Sequence, residues 1–349
     1  MFDFISARDA CILTTGSNGF VGAKVVETLL EKGFSNLRCF VRPSSQLDRL
    51  WAAVRRFDAE DRVQTVIGDL LSRDDCRKAA EGVDVIYHLA AGMDKSFAGA
   101  FMNSALGTRN LMDAFLEVGK PKRFVNVSSF AVYSNLKMPR GSLLDESAPL
   151  EDAPQERSDA YGFGKLRQEE LVREYGAKRN LPFVILRPGA VFGPGNRSLT
   201  GRSAIDTFGF FLHLGGSNQL PLTFVDNCAE AIVLAGLKPG MDGEIFNVVD
   251  DDLPTSAQFF RAYKDKTRTR FSLSIPYPLT EGFCAVWEKY SNWSRGQLPS
   301  VFNRRRCAAE WKGNRFSNQK LRDKLGWRPK ISMPDAMSLF FEQFESAGA

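Results

Sequence analysis

Short apolar runs alternate with helix-length amphipathic segments through the first half of the chain. The runs lie at residues 10–15, 37–41, 63–68, 83–89, 123–128 and 183–188. Strand–helix–strand repeats of this kind join parallel strands through right-handed crossovers, with helices on both faces of the sheet. The alternation therefore predicts an α/β fold built on a doubly wound parallel sheet.

Beyond Pro188 the alternation gives way to loops punctuated by glycine and proline. We predict a first domain over residues 1–187 and a smaller α/β substrate lobe formed mainly by residues 188–349. Short apolar stretches between residues 222 and 249 are expected to return to the sheet. Long helices are predicted over 98–118 and 160–179 in the first domain, and further helices near 226–237, 256–266, 279–293, 317–325 and 334–345.

The composition of the 349 residues argues against several classes of protein. The net charge of +5 is small and spread along the chain, which argues against a nucleic-acid partner. The six cysteines show no C-x-x-C pair or disulfide rhythm, and only two histidines are present, so we expect no metal site. No apolar run reaches the roughly 18 residues of a transmembrane segment, and the start lacks a signal-peptide core, so we predict a cytoplasmic protein.

A glycine-rich turn follows the first predicted strand. It reads Gly16, Ser17, Asn18, Gly19, Phe20, Val21 and Gly22, and an amphipathic helix comes directly after it. A turn that lacks side chains lets backbone N–H groups approach a pyrophosphate, and the helix N-terminus adds partial positive charge. We therefore predict that these seven residues bind a dinucleotide, although their G-x-x-G-x-x-G spacing departs from G-x-G-x-x-G. The alternative is a turn that binds nothing.

The residues that end the second and third strands bear on which dinucleotide is bound. An acid at the end of the second strand would hold an adenosine 2′-hydroxyl, whereas an arginine would accept a 2′-phosphate. This chain has Arg42 there and no acid, so we prefer NADP and keep NAD as possible. Asp69 ends the third strand and could accept a hydrogen bond from adenine, because Ser72 and Asp75 supply the next helix cap.

Tyr161 and Lys165 stand four residues apart in a predicted helix and so share one face. A phenol with a pKa of about 10 exchanges protons poorly at neutral pH, and an ammonium within about 4 Å would lower that pKa. We therefore expect Lys165 to tune Tyr161 and to reach a cofactor ribose. Ser128 and Ser129, at the end of the fifth strand, offer hydroxyls for the reacting oxygen. Each of these residues alone could equally have a structural role, but together they indicate catalysis.

The order of motifs resembles the extended short-chain dehydrogenase/reductases, the NAD-dependent epimerase/dehydratase family. The matching stretches run from about residue 10 to residue 345: TGSNGFVG, GDL, YHLAA, NSALGTRNLMDA, VSSFAVY, YGFGK, LRPGAVFGPG, FVDNCAEAI, FNVVDD and LGWRP. The resemblance implies a Rossmann domain, a C-terminal substrate lobe and a homodimer. It also implies a Ser129–Tyr161–Lys165 triad assisted by Asn103. By these motifs, further cofactor contacts are expected at Leu70, Leu89, Ala90, Ala91, Ser128, Pro188 and Val191.

Two enzymatic hypotheses compete within this resemblance. One is a dehydrogenase or reductase that exchanges NADP(H) at each turnover and acts on a secondary alcohol or ketone of an apolar small molecule. Arg42 favours it, and the C-terminal run resembles 3β-hydroxysteroid dehydrogenases and dihydroflavonol-type reductases. The other is a nucleotide-sugar epimerase or dehydratase with tightly bound NAD. A cofactor-binding regulator without catalysis is a remote third possibility.

Three further features have open roles. Phe283, Trp287 and Tyr290 form an aromatic stripe that is either lobe core or a wall for an apolar substrate. The run 304–306 is a cationic cluster that is either solvated or placed to hold a substrate phosphate. His88 and His213 are expected to be packing or surface residues.

Overall fold

The computed structural model describes residues 4–92, 95–196, 201–207, 210–267, 271–294 and 297–345. The strands are β1 Ile12–Thr15, β2 Leu37–Val41, β3 Val63–Ile67, β4 Val85–His88, β5 Arg123–Val127, β6 Leu143–Leu144, β7 Phe183–Pro188, β8 Ala190–Phe192, β9 Ala204–Thr207, β10 Phe210–His213, β11 Leu222–Phe224, β12 Ile245–Val248, β13 Ser272–Ser274 and β14 Arg315–Phe316. The helices are α1 Phe20–Glu31, α2 Asp48–Arg55, α3 Arg73–Ala80, α4 Phe97–Ala100, α5 Gly107–Val118, α6 Ala160–Arg179, α7 Val225–Leu237, α8 Ser256–Thr267, α9 Tyr277–Trp293, α10 Arg304–Trp311, α11 Gln319–Leu325 and α12 Met333–Glu345.

Seven strands form the central sheet in the order β12-β7-β5-β4-β1-β2-β3. Every neighbouring pair in this sheet is parallel. The predicted doubly wound α/β sheet is therefore confirmed. The chain winds outward in both directions from β1 and β4, and in such sheets the ligand crevice opens at the carboxyl ends of those two strands.

Alternate side chains of each strand enter two separate cores. Ile12 and Val125 belong to the core beneath α1 and α7, whereas Leu13 and Phe124 belong to the core beneath α3, α5 and α6. All four side chains are fully buried or nearly so. This two-sided burial explains why the strands read as continuous apolar runs.

The helix expected over 98–118 is broken into three parts. A wide π-helical turn, Phe101–Leu106, joins α4 to α5. This turn lies against α6, where a Cβ added to Gly164 would stand 2.9 Å from Ser104 Oγ. Apolar spacing did not reveal this turn, because a single wide turn alters the helical spacing too briefly to stand out in a window of about 11–18 residues.

The C-terminal part adds a small sheet and several helices. Strands β13, β10 and β9 form this sheet, while β12 lies in the central sheet beside β7 and β11 pairs with β8 outside it. Helix α10 was not predicted, since its sequence RRRCAAEW has too little apolar periodicity. The domain boundary at residue 187 remains a prediction.

Within the described ranges, no helix combines the length and apolar character needed to cross a membrane.

Candidate active site

The glycine-rich turn brings three stretches of backbone into close contact. Gly16 has a φ of +68°, and a Cβ there would lie 3.0 Å from the backbone N of Ala90. A Cβ on Gly22 would lie 2.0 Å from the carbonyl oxygen of Gly16. Gly19 caps α1 without any side-chain hydrogen bond, so no side chain competes for the first N–H groups of the helix. Such a turn fits a bound pyrophosphate.

A cleft of about 480 Å³ opens beside this turn at the carboxyl ends of the strands. Its lining includes ten residues that the sequence predicted: Gly16, Asn18, Gly19, Arg42, Asp69, Leu70, Leu89, Ala90, Ala91 and Asn103. Seven others were missed: Thr15, Phe40, Val41, Ser45, Gly68, Leu71 and Gly92. Their common signal is position, because each lies at or just beyond a strand end or in a segment beside one.

Arg42 and Asp69 differ in how far local structure occupies them. The Arg42 side chain is exposed, and its backbone N donates to Ser45 Oγ at 3.1 Å. The Asp69 carboxylate already accepts from the backbone N of Leu71 at 2.9 Å. Ser72 caps α3 as expected, with its Oγ accepting from the backbone N of Asp75 at 3.2 Å. Asp69 thus lines the cleft with one oxygen engaged in its own turn.

The side chains of Phe20 and Val21 lie outside the lining of the 480 Å³ cleft. The side chain of Phe20 lines a second cavity of about 400 Å³ and lies 5.6 Å from the Arg49 guanidinium. Val21 packs on the core beneath α1. The cofactor contacts expected at Phe20 and Val21 stay predictions, and the backbone N–H groups at this helix start are the groups suited to make them.

The remaining predicted site residues lie outside the lining of the 480 Å³ cleft. They are Ser17, Gly22, Ser128, Ser129, Tyr161, Lys165, Pro188 and Val191. Ser128 is 3 % exposed, and its Oγ has no hydrogen-bond partner within the described part of the chain. A buried hydroxyl without a partner is costly, so this atom fits a polar ligand group.

Tyr161 lies in the first turn of α6, near Ser129. Asp159 fixes the start of this helix by accepting from the backbone N of Gly162 at 2.8 Å. Burial raises the pKa of Tyr161, and the nearby Ser129 side chain offsets part of that effect. The phenol therefore keeps its proton at neutral pH, which differs from the expected lowering by Lys165.

Lys165 is 2 % exposed and is held by other partners. Its Nζ donates to the carbonyl oxygen of Val127 at 2.6 Å and to Gln168 Oε1 at 3.0 Å. Burial lowers the pKa of Lys165 to about 7, although the Glu169 carboxylate opposes this. The ammonium thus lies below the serine pair at the end of β5 and titrates close to neutrality.

Arg157 is a buried residue that sequence reasoning missed. It donates to the carbonyl oxygen of Tyr133 at 2.9 Å and to that of Ala131 at 2.5 Å. It also pairs with Asp159, the cap of α6. Arg157 therefore ties the loop after Ser129 to the helix that carries Tyr161. Nothing in its sequence context distinguishes it from a surface arginine.

The structure places the arginine run 304–306 and the aromatic stripe of the C-terminal part. Arg304 pairs with Glu288, and Arg305 pairs with three acids of residues 151–156. Phe283 and Tyr290 are each about half exposed, at 52 % and 51 %. Lobe packing thus accounts for only part of the aromatic stripe.

Both histidines are buried and hydrogen-bonded. His88 bonds to Thr15 and Thr108, and His213 lies 3.1 Å from both Ser274 and Ser256. Among the described residues, no group of three or more His, Cys, Asp or Glu side chains could hold a metal ion.

Comparison with known proteins gives sterol and sugar-nucleotide enzymes. A 3beta-hydroxysteroid-dehydrogenase/decarboxylase of Arabidopsis thaliana is 28% identical over 256 residues, which cover 69% of this chain and only 56% of that protein. The sterol-4-alpha-carboxylate 3-dehydrogenase of Bos taurus is 24% identical, covering 94% of this chain and 91% of its own. The UDP-glucuronic acid 4-epimerase of Bacillus cereus, solved with UDP-glucuronic acid and NAD, shares the fold with a TM-score of 0.71 at 20% identity, covering 96% and 99%.

The sequence profile of one family spans most of the central sheet. It matches residues 12–248, from the first residue of β1 to the last residue of β12. The matched region contains the glycine turn, the cleft and the segments that carry Ser129, Tyr161 and Lys165. The chain is therefore an enzyme that belongs to the NAD dependent epimerase/dehydratase family.

Proposed function

We propose that this protein is an NADP(H)-dependent dehydrogenase or reductase that acts on a secondary alcohol or ketone of an apolar, sterol-like molecule. The observation that carries the proposal is that Ser129 lies close enough to the Tyr161 phenol to influence its pKa, with buried Lys165 one helical turn further on. These three residues lie along the same edge of the central sheet as the cleft, which is of the dinucleotide-binding type. Proton transfer and cofactor binding would then occur side by side.

Each residue of the triad has a distinct task in this proposal. Tyr161 donates its proton to the substrate oxygen during reduction, which suits a phenol whose pKa is raised by burial. Ser129 hydrogen-bonds the same oxygen and stabilises its developing charge. Lys165 supplies positive charge next to both and binds a ribose hydroxyl. A bound nicotinamide supplies or accepts the hydride.

The preference for NADP rests on Arg42. Its exposed guanidinium lines the cleft at the end of β2, where no carboxylate stands to hold a ribose 2′-hydroxyl. A guanidinium binds phosphate oxygens in pairs, and Ser45 lies beside it in the same lining. NAD stays possible, since backbone groups make the pyrophosphate contacts with either dinucleotide.

The sterol-like substrate is supported by the relatives and by charge pairing. The bovine sterol dehydrogenase aligns with 94% of this chain, including the C-terminal part. Arg304 and Arg305 are paired with acids, which leaves them poorly placed to hold the diphosphate of a nucleotide sugar. The epimerase or dehydratase alternative therefore has less support here.

Assembly and location belong to the same proposal. Phe101 and Met102, on the wide turn before α5, are 45 % and 42 % exposed. An exposed apolar pair on this helical face suits the predicted homodimer through α5 and α6. The cytoplasmic location likewise remains a prediction.

Identification of the co-purifying nucleotide, followed by a substrate panel, tests the function. The purified protein should hold no nucleotide firmly, and it should reduce NADP in the presence of a 3β-hydroxysteroid or oxidise NADPH with the matching ketone. Reduced nicotinamide absorbance reports both. Tightly retained NAD together with turnover of a UDP-sugar, and no reaction with any steroid, would establish the epimerase alternative instead.

A further inference from the structure

A chain of buried polar side chains lies beneath the candidate active site, between the central sheet and helices α5 and α6. His88, Thr108 and Gln168 are each no more than 1 % exposed. Nδ1 of His88 lies 2.8 Å from Thr15 Oγ1, and Nε2 of His88 lies 2.8 Å from Thr108 Oγ1. The chain begins at the end of β1, next to the glycine turn, and ends at Lys165.

The hydrogen bonds of Thr108 fix which way the Gln168 amide faces. Thr108 donates its single hydroxyl proton to the carbonyl oxygen of Ser104 at 2.5 Å. It must therefore accept from Gln168, whose Nε2 lies 2.8 Å away, and the same Nε2 donates to the carbonyl oxygen of Ala90 at 3.2 Å. With both donors on this side, Oε1 is left to face Lys165.

We propose that Gln168, held in this orientation by Thr108 and Ala90, is a positioning residue that fixes the ammonium of Lys165 at the end of β5. This inference rests on the proposed role of Lys165. Val127 and Gln168 each accept one of the three ammonium protons. One N–H is left for the cofactor or Tyr161, and the ammonium cannot turn away without leaving the Gln168 oxygen unpaired.

The charged and titratable groups around Lys165 make the role of Gln168 measurable. On α6, Glu169 raises the pKa of Lys165, but two short bonds of 2.9 and 2.7 Å bind its carboxylate to Arg187 of β7. On β4, burial lowers the pKa of His88 to about 3, so this ring is neutral at working pH. The Tyr161 phenol is also neutral. Gln168 is therefore the nearest side chain whose exchange alters how the ammonium is held.

Titration of Lys165 by NMR of the full chain with ¹³C-labelled lysine tests the proposal. The Lys165 signal is identified as the one that Lys165→Met removes. Gln168→Leu takes away an acceptor of the charged form, so the pKa of Lys165 should fall by about one unit or more. Gln168→Glu places a carboxylate there, so the pKa should rise by a similar amount. Opposite shifts from the two variants are a result that a purely packing role would not produce.

Two further variants complete the design. Gln319→Leu, at an exposed glutamine that donates to Asp323, should leave the Lys165 titration unchanged. Thr108→Val removes the acceptor that orients Gln168 and should lower the pKa of Lys165 less than Gln168→Leu does; it replaces that variant if the leucine prevents folding.

The outcomes separate this inference from the proposed function. Unshifted titration in Gln168→Glu and in either Gln168→Leu or Thr108→Val would overturn the positioning role, even if Lys165→Met abolishes turnover. Full turnover in Lys165→Met would instead overturn the proposed catalytic role of Lys165, whatever the lysine titration shows.

Discussion

Lys165 shows how a cation is kept in the interior of this enzyme. Removing an ammonium from water is costly, and the cost appears as a pKa lowered to about 7. Two acceptors, the Val127 carbonyl and Gln168 Oε1, recover part of that cost for the charged form. A lysine that titrates near neutral pH can carry its charge and also pass a proton on.

The lowered pKa of Lys165 predicts a pH dependence of stability. Because the native state binds fewer protons than the unfolded state between about pH 7 and the ordinary lysine value of 10.5, native stability should rise with pH across that window. Lys165→Met lacks this contribution. Urea unfolding at pH 7 and pH 9 measures this. The free energy of unfolding of the native protein, relative to that of the variant, should increase by at most about 1.4 kcal/mol per pH unit.

The exposed lysine of the same helix provides a control for this measurement. Lys178→Met removes a side chain that is 72 % exposed and pairs with Glu174. The difference in the free energy of unfolding between Lys178→Met and the native protein should not change in that pH window. Parallel pH profiles for Lys165→Met and the native protein would show that Lys165 is not held at a lowered pKa.

Arg42 governs the choice between the two dinucleotides in the proposed function. Arg42→Ala should weaken NADPH binding by about 10-fold or more, since a charge-assisted pair of hydrogen bonds is lost, and should barely affect NADH. Fluorescence titration with both nucleotides measures this. Arg55→Ala, at an exposed arginine of α2 outside the cleft lining, serves as the control. An equal loss for both nucleotides would remove Arg42 from the 2′-phosphate site.

The sequence predicted the candidate catalytic side chains better than their surroundings. The four-residue spacing of Tyr161 and Lys165 placed them on one helix face, and α6 spans the predicted 160–179. Of the two partners of Lys165, Gln168 lies three residues further on in the same helix, whereas Val127 lies 38 residues away and could not be predicted. Burial, which decides the sign of the Tyr161 pKa shift, is a property of that packing.

At the scale of elements, the turn between β1 and α1 depends on close backbone contact. Gly22→Ala would put a Cβ 2.0 Å from the Gly16 carbonyl oxygen, so strand and helix must move apart. We expect a loss of about 3 kcal/mol in unfolding free energy and a loss of nucleotide binding. Thermal unfolding with and without nucleotide measures both effects.

Gly282→Ala is the matched control for this substitution. Gly282 lies in α9, and a Cβ there would meet no atom within 4 Å. The variant should be as stable as the native protein or more stable by about 0.5 kcal/mol, because alanine favours the helix. Equal behaviour of the two variants would contradict the close packing of the turn.

Most strands of the first half were predictable because they are buried on both faces; β3 also lies within its predicted run, although it is partly exposed. Strands β1, β2, β4, β5 and β7 all lie within predicted runs. The π-helical turn Phe101–Leu106 and helix α10 were not predicted. A single wide turn hardly alters the helical spacing, and the α10 sequence carries little apolar pattern. Contacts with α6 and α9 stabilise these two elements, and such contacts are invisible in local sequence.

At the scale of the whole molecule, ion pairs join the C-terminal part to the loop before α6. Arg305 of α10 donates to Glu151 at 2.7 Å and to Asp152 at 2.6 Å, and Glu151 in turn lies 3.8 Å from Arg157. Arg157 holds the loop after Ser129 and the cap of α6. The predicted substrate lobe is thus linked to the candidate catalytic residues through one continuous set of charges.

Removal of Arg305 tests this link. Arg305→Leu should cost about 1 kcal/mol or more, because Asp152 and Glu156 are exposed but Glu151 is buried and loses a charged partner. It should lower turnover more than nucleotide binding. The neighbouring Arg306→Leu should have little effect, because the Arg306 side chain is exposed and, among the described residues, donates only to the Val301 carbonyl oxygen, at 3.4 Å. Urea unfolding and steady-state kinetics compare them. Identical kinetics for both variants would show that these charges do not reach the active site.

The central claim of this account is that the Tyr161 phenol transfers the proton beside a bound nicotinamide. Turnover of Tyr161→Phe, measured together with its nucleotide affinity, tests that claim most directly. Tyr175→Phe, later in the same helix as Tyr161, loses a bond to Asp113 of α5 and is the control. We predict that Tyr161→Phe lowers turnover by about 10²- to 10⁴-fold and leaves nucleotide affinity nearly unchanged. Full turnover in Tyr161→Phe would contradict the account.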